Sequence, residues 1–182
     1  MRYVLLFIGF LFLASCGDEV VVKPKALLHL QYPEPIYASP KIECPFNFVY
    51  NAQANLQSKN NCWLDLVYPN MKATMHLTYR PIENNIASLL YDAQKLTYDQ
   101  TIKASSIYEQ PRVDSINNVY GMLYMINGNA ATSTQFYVND STKHFGTGSL
   151  YFKSRPNFES ILPAISYIRE DIRRIMETIQ LQ

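Results

Sequence analysis

The sequence predicts an α+β fold, a largely antiparallel sheet of six or seven strands packed with two helices as a sandwich. Three observations predict it. Met71, Ala73, Met75, Leu77 and Tyr79 alternate with Lys72, Thr74, His76, Thr78 and Arg80, the period-two pattern of a half-buried strand. Strand-like runs recur on both sides of it, divided by Pro69-Asn70, Asn117-Asn118 and Asn127-Gly128-Asn129, steps that suit tight turns. Two other stretches repeat apolar residues at intervals of three and four, the period of an amphipathic helix.

The N-terminus comes first along the chain. Arg2 precedes an apolar run over residues 3–13, and Ala14 and Ser15 stand before Cys16, with Asp18 and Glu19 just beyond. This is the layout of an export signal, and the run is short of the roughly 20 apolar residues of a membrane span. Leu13-Ala14-Ser15-Cys16 resembles the bacterial lipobox, in which the cysteine thiol receives a diacylglycerol and becomes the first residue of the mature protein. An ordinary cleaved signal or an uncleaved anchor would leave Cys16 without a role. The expected organisation is therefore a lipoprotein signal peptide over 1–15, a lipidated N-terminus and proline-rich tether over 16–45, and a single α+β domain over 46–182. Pro24, Pro33, Pro35, Pro40 and Pro45 give the tether its extended character. Residues 26–32 have the makings of a short strand, and residues 32–37 read as a spacer packed on its own domain.

Within the domain, strands are expected near residues 46–50, 62–68, 71–80, 105–113, 119–126, 131–138 and 146–153. The first helix is expected between Asn84 and about Lys103, on Ile86, Leu89, Leu90, Ala93 and Leu96, with Asp99 and Lys103 on a solvated side. The second carries Ile161, Ile165, Ile168, Ile172, Ile175 and Ile179, with Arg169, Glu170, Arg173, Arg174 and Glu177 assigned to the outer face. Pro163 is expected in its first turn, where a missing N–H costs nothing. The isoleucine seam is short of the sustained heptads of a coiled coil and is read as one helix covering its own sheet.

Of 182 residues, 48% are hydrophobic and 17% charged, and sixteen basic against fifteen acidic side chains leave a formal charge of +1. That balance argues against nucleic acid as a partner, because phosphate binding needs a net basic face. His29, His76 and His144 fall in different elements, with no ligand at metal-site spacing. His76, between Thr74 and Thr78, is read as a solvated or hydrogen-bonded imidazole. No catalytic motif, cofactor motif or metal motif stands out. Gly146 and Gly148 are read as points where a strand bends or bulges, and Trp63 as core. Cys44 and Cys62 are either a disulfide or two buried free thiols. An oxidising compartment favours the bridge, although a simple hairpin of residues 46–50 with 62–68 would put the two cysteines at opposite ends.

The lipobox, Leu30-Gln-Tyr-Pro-Glu-Pro35, Cys44-Pro-Phe, Cys62-Trp-Leu, Tyr68-Pro-Asn-Met-Lys-Ala-Thr74 and Asp92-Ala-Gln-Lys-Leu-Thr-Tyr98 together resemble the gliding motility lipoprotein family GldD of the Bacteroidota. The likeness continues through Asp140-Ser-Thr-Lys-His-Phe145, Gly148-Ser-Leu-Tyr-Phe152 and Asp171-Ile-Arg-Arg174 and covers nearly the whole mature chain. By topology alone the element order is also similar to the PsbP and Mog1 arrangement, which carries no function. The family resemblance implies a membrane-anchored, non-catalytic structural or assembly component of the gliding machinery and the associated type IX secretion system. It implies no enzymatic activity and no cofactor. The expected partners are the lipid bilayer, through acylated Cys16, and other envelope proteins of that machinery. The expected location is the cell envelope, facing the periplasm, with the outer membrane favoured over the inner. The alternative reading is a carrier for a lipid or other small ligand held between sheet and helix. An enzyme acting on envelope polymers is a third, and it requires a histidine brought together with carboxylates from separate elements.

Overall fold

A computed structural model describes residues 30–153 and 157–182. His29 and Cys16 lie outside the described residues, as does the signal. The elements follow the order β1 (Tyr37–Ala38), β2 (Phe46–Asn47), β3 (Tyr50–Asn51), β4 (Asn55–Ser58), β5 (Leu64–Tyr68), β6 (Ala73–Pro81), α1 (Ile86–Tyr98), β7 (Ala104–Asp114), β8 (Val119–Gly128), β9 (Thr132–Asn139), β10 (His144–Phe152), α2 (Phe158–Thr178) and β11 (Gln180–Leu181). Among the described residues the fold is α+β: a seven-stranded antiparallel sheet in the order β4-β5-β6-β10-β9-β8-β7, two helices, and two small two-stranded pairings. After β6 the chain crosses through α1 to the far edge and returns as the meander β7 to β10, so that β10 closes against β6.

The alternation read from residues 71–80 becomes β6, with Ala73, Met75 and Leu77 turned to the main core. On that side the sheet also contributes Leu64, Leu66, Leu123, Phe136, Val138 and Leu150, and α2 covers them with Ile168, Ile172, Ile175 and Met176. The isoleucine stripe therefore covers its own sheet. The helix begins at Phe158, where Asn157 Oδ1 accepts from the Ser160 amide at 3.5 Å. This start lies earlier than the isoleucine spacing implied and puts Pro163 in the second turn. Helix α1 packs on the opposite face of the sheet. There Leu89 is buried, and the Thr97 hydroxyl donates to Gln135 Oε1 at 2.7 Å. The first helix runs as expected from Ile86, and a 3₁₀ turn, Asp99–Ile102, ends it.

Several local expectations are corrected. Residues 46–50 form no strand in the main sheet. They split into β2, which pairs with β11, and β3, which pairs with β1. The place beside β5 is taken by β4, whose short polar run has no alternation to reveal it. Residues 30–32 belong to no strand. Trp63 is 43% exposed, its indole N–H donating to Tyr79 O at 3.4 Å. The turn glycine Gly128 has φ +101°, as its Asn-Gly step implied. Gly148, however, marks no bulge. The register of β10 with β9 shifts only between Leu150 and Tyr151, and a Cβ on Gly148 would stand 2.2 Å from Phe136 Cε1. The missing side chain is the space occupied by the buried Phe136 ring. Gly148→Ala is expected to destabilise the fold by about 1–3 kcal/mol through overpacking. Urea denaturation measures it, and trimming the ring with Phe136→Leu should return part of that loss in the double variant.

Candidate functional site

Residues 30–45 form a strap that lies against α2. β1 pairs with β3, placing Tyr37 opposite Asn51. The Ala52 amide donates to Ile36 O at 2.6 Å, and the Ile36 amide donates to Asn51 Oδ1 at 3.3 Å. Farther up the strap, the Tyr167 hydroxyl donates to Pro33 O at 2.9 Å, and the Tyr32 and Tyr167 rings lie 5.1 Å apart. The spacer packed on its own domain is thus held by α2 and β3.

Under the strap sits Asp171, only 1% exposed. Its Oδ1 accepts from the Tyr37 hydroxyl at 3.0 Å, and its Oδ2 accepts from Asn51 Nδ2 at 3.0 Å and from the Tyr68 hydroxyl at 3.1 Å. Asn51 Nδ2 also donates to the Tyr167 hydroxyl at 3.0 Å. Strap, sheet and helix therefore meet on one carboxylate. Burial lifts its pKa above the ordinary value, outweighing three donors that pull the other way. Burial and the neighbouring carboxylate likewise push Tyr37 up to about 12, and they raise Tyr68 as well. Above the cluster an open cleft of about 590 Å³ is lined by Leu30, Tyr32, Glu34, Tyr37, Tyr167 and Glu170, among others. Arg174 lies over the Tyr37 ring, 5.7 Å from its centre.

Two residues before Asp171, Arg169 points into the fold instead of to the outer face to which its charge had assigned it. It donates to Ile126 O at 3.0 Å, Ser133 O at 2.9 Å, Asn127 Oδ1 at 3.2 Å and Thr134 Oγ1 at 3.1 Å, fastening α2 to β8 and β9. Glu170 and Arg173 do pair outside.

Cys44 and Cys62 lie at bonding distance, Sγ to Sγ 2.19 Å and Cα to Cα 5.7 Å. The anticipated hairpin is absent, because β2 pairs with β11, so Cys44 is free to meet Cys62 in the 3₁₀ turn Asn60–Cys62 that precedes β5. The two described histidines stay apart, on β6 and β10. His144 Nδ1 is 2.9 Å from the Tyr79 hydroxyl, and His76 Nδ1 is 2.7 Å from Asp65 Oδ1. Among the described residues no group of three His, Cys, Asp or Glu side chains is placed to hold a metal ion, and no helix is long and apolar enough to cross a membrane. The apolar cavity between sheet and α2 measures about 20 Å³, room for about one water molecule.

These features define a class: an α+β domain built, among the described residues, on one seven-stranded sheet with a helix on each face, whose N-terminal strap is locked to its terminal helix by a buried carboxylate. Comparison with known families places it further. The family model for the gliding motility lipoprotein GldD matches residues 17–181, and the chain belongs to that family. No curated protein matches it. Membership makes the protein a gliding-motility-related lipoprotein associated with the cell envelope.

Proposed function

We propose that the protein is fastened to a membrane by acyl chains on Cys16 and serves, facing the periplasm, as a structural or assembly component of the gliding apparatus and the linked type IX secretion system. The observation that carries this reading is the family match, which begins at Gly17, directly after the lipobox cysteine. Two or three acyl chains, each methylene contributing about 0.8 kcal/mol, hold a protein stably on a bilayer. The 14 residue-to-residue steps from Cys16 to Leu30 span at most about 50 Å, and the strap then delivers the chain onto α2. The domain is held near its membrane by a segment it grips itself. Cys44 and Cys62 are taken to be oxidised in the native host, securing the start of the domain to the turn before β5. The role requires no chemical turnover. It works through contacts with other envelope proteins, and the inner leaflet of the outer membrane is the favoured site.

Nothing in the core favours the carrier reading, since a cavity of about 20 Å³ is far below the size of a lipid chain. Deleting the gene in a gliding host tests the proposal. Loss of surface spreading together with loss of type IX export is expected, restored by the wild-type gene but not by Cys16→Ala. Normal spreading and export in the deletion strain would overturn it.

A further inference from the structure

The domain holds its N-terminal strap in two different ways, and the change comes at Pro40. Among residues 30–39 none is buried, and only Tyr32 and Pro35 are half-buried. Ile36 is 65% exposed. What holds this stretch is polar. Pro33 O accepts from the Tyr167 hydroxyl, Glu34 O from the Gln53 side chain and Ile36 O from the Ala52 amide, while the Tyr37 hydroxyl donates to Asp171. The pairing of β1 with β3 adds only two residues on each side, and the cleft of about 590 Å³ opens between residues 30–35 and α2.

From Pro40 onward the grip is apolar and covalent. Pro40 is buried, Ile42 and Cys44 pack on the main core, and Cys44 is bonded to Cys62. Among the described residues that core draws on none before Ile42. Lifting the strap therefore uncovers no part of the main core. It returns Asp171, Asn51 and the Tyr167 hydroxyl to water, which supplies hydrogen bonds in place of those lost. A bond exchanged for water in this way has a small net value, and a segment with few buried apolar contacts opens locally, well below the cost of unfolding the whole domain.

We propose that residues 30–39 are a releasable length of tether: a pull on the anchored end peels the strap from α2 and β3 as far as Pro40, where the buried proline and the Cys44–Cys62 bond arrest it, and the folded domain then stands farther from its membrane. The pull presupposes the anchor proposed at Cys16, whereas the release itself does not. The chain between Cys16 and its first firm hold lengthens from 14 residue-to-residue steps to 24, from at most about 50 Å to at most about 85 Å. The contacts at Pro33, Glu34, Ile36, Tyr37 and Ala38 follow one another along the chain, so a load applied at Leu30 meets them one at a time. Tyr37 on the buried Asp171 is the catch. Without the bridge to Cys62 the same load would run on through Ile42 into β2. With it, one domain reaches envelope partners at two heights while staying folded and anchored.

The chain from Cys16 to Gln182, unlipidated and with Cys44 and Cys62 oxidised, is held in magnetic tweezers by the Cys16 sulfur and the C-terminus. The expected trace shows a reversible early step that releases at most about 35 Å of chain, followed at higher force by unfolding of the domain. Tyr37→Phe should make the early step about tenfold more frequent, the worth of one hydrogen bond to a carboxylate, and leave the later step unchanged, because the strap is already off when the domain unfolds. Ile36→Cys with Ala52→Cys, two exposed positions joined across the pairing by the Ala52 amide, should abolish the early step once a second bridge is confirmed by peptide mass. Unfolding in one event with no earlier extension, or an early step that persists in the bridged variant, overturns the proposal. The measurement needs neither membrane nor host, so its failure leaves the anchor at Cys16 standing, and an unmodified Cys16 in the host would leave the early step standing.

Discussion

Asp171→Ala should lower the stability of the domain by about 3 kcal/mol, because buried donors deprived of their acceptor cost about 1–3 kcal/mol each. Of the two buried donors, the Tyr68 hydroxyl is left with no other acceptor and Asn51 Nδ2 keeps only its bond to Tyr167, whereas Tyr37 is exposed enough to recover part of its loss. The strap should loosen at the same time, since Tyr37 and Asn51 are also its two anchoring partners in the pairing of β1 with β3. Amide exchange at Ile36 and Ala52 should therefore accelerate in the variant more than exchange within β6. The pH dependence has a definite sign. Asp171 has a folded-state pKa above its ordinary value of 3.8, so the stability it confers is complete below that value and is lost as pH rises through the elevated one. Comparing wild type with Asp171→Asn isolates the effect, and the stability difference in favour of wild type should shrink with rising pH and then level off. Asp65 and Asp140 act in the opposite sense. Both are depressed, Asp65 by Lys59 and His76 and Asp140 by the amides of residues 142–144, against the opposing effect of burial. Their contributions disappear as pH falls through those lowered values.

The second large effect belongs to the cysteines. Their separation is 18 positions, and closing a loop of that size stabilises the folded state by about 3 kcal/mol through the unfolded chain. Paired Cys44→Ser and Cys62→Ser, or reduction with a phosphine, should lower the urea midpoint accordingly. The damage should concentrate in β1 to β4, where the pairings are two to four residues long. Free thiols in protein isolated from the periplasmic side without reductant would show that the pair is not bridged in the host.

Much of the architecture was legible in the residues. The ten-residue alternation through Met75 and Leu77, the Asn-Gly turn at 127–128 and the isoleucine period each dictate one geometry, and each element formed where its pattern lay. What escaped was set by the partner across a strand pair or a packed face, which local periodicity does not record. β4 is four mostly exposed residues whose only instruction is the edge of β5. Gly148 needed knowledge of Phe136 across the ladder. Arg169 and Asp171 were assigned by charge to the solvent side or overlooked, although their spacing held the signal. Asp171 is three residues past Ile168 and four before Ile175, and Arg169 is four past Ile165 and three before Ile172, so both lie on the buried stripe. A charged residue on an isoleucine seam implies a buried polar partner, and here the partners are Asn51, Tyr68 and the sheet carbonyls.

Everything proposed about location and role rests on Cys16. The most direct measurement is the mass of the N-terminal peptide of the protein extracted from its native host. The account predicts a peptide that begins at Cys16 and carries a diacylglycerol thioether, with residues 1–15 removed. A peptide that retains those residues, or one in which the Cys16 sulfur is unmodified, would contradict it.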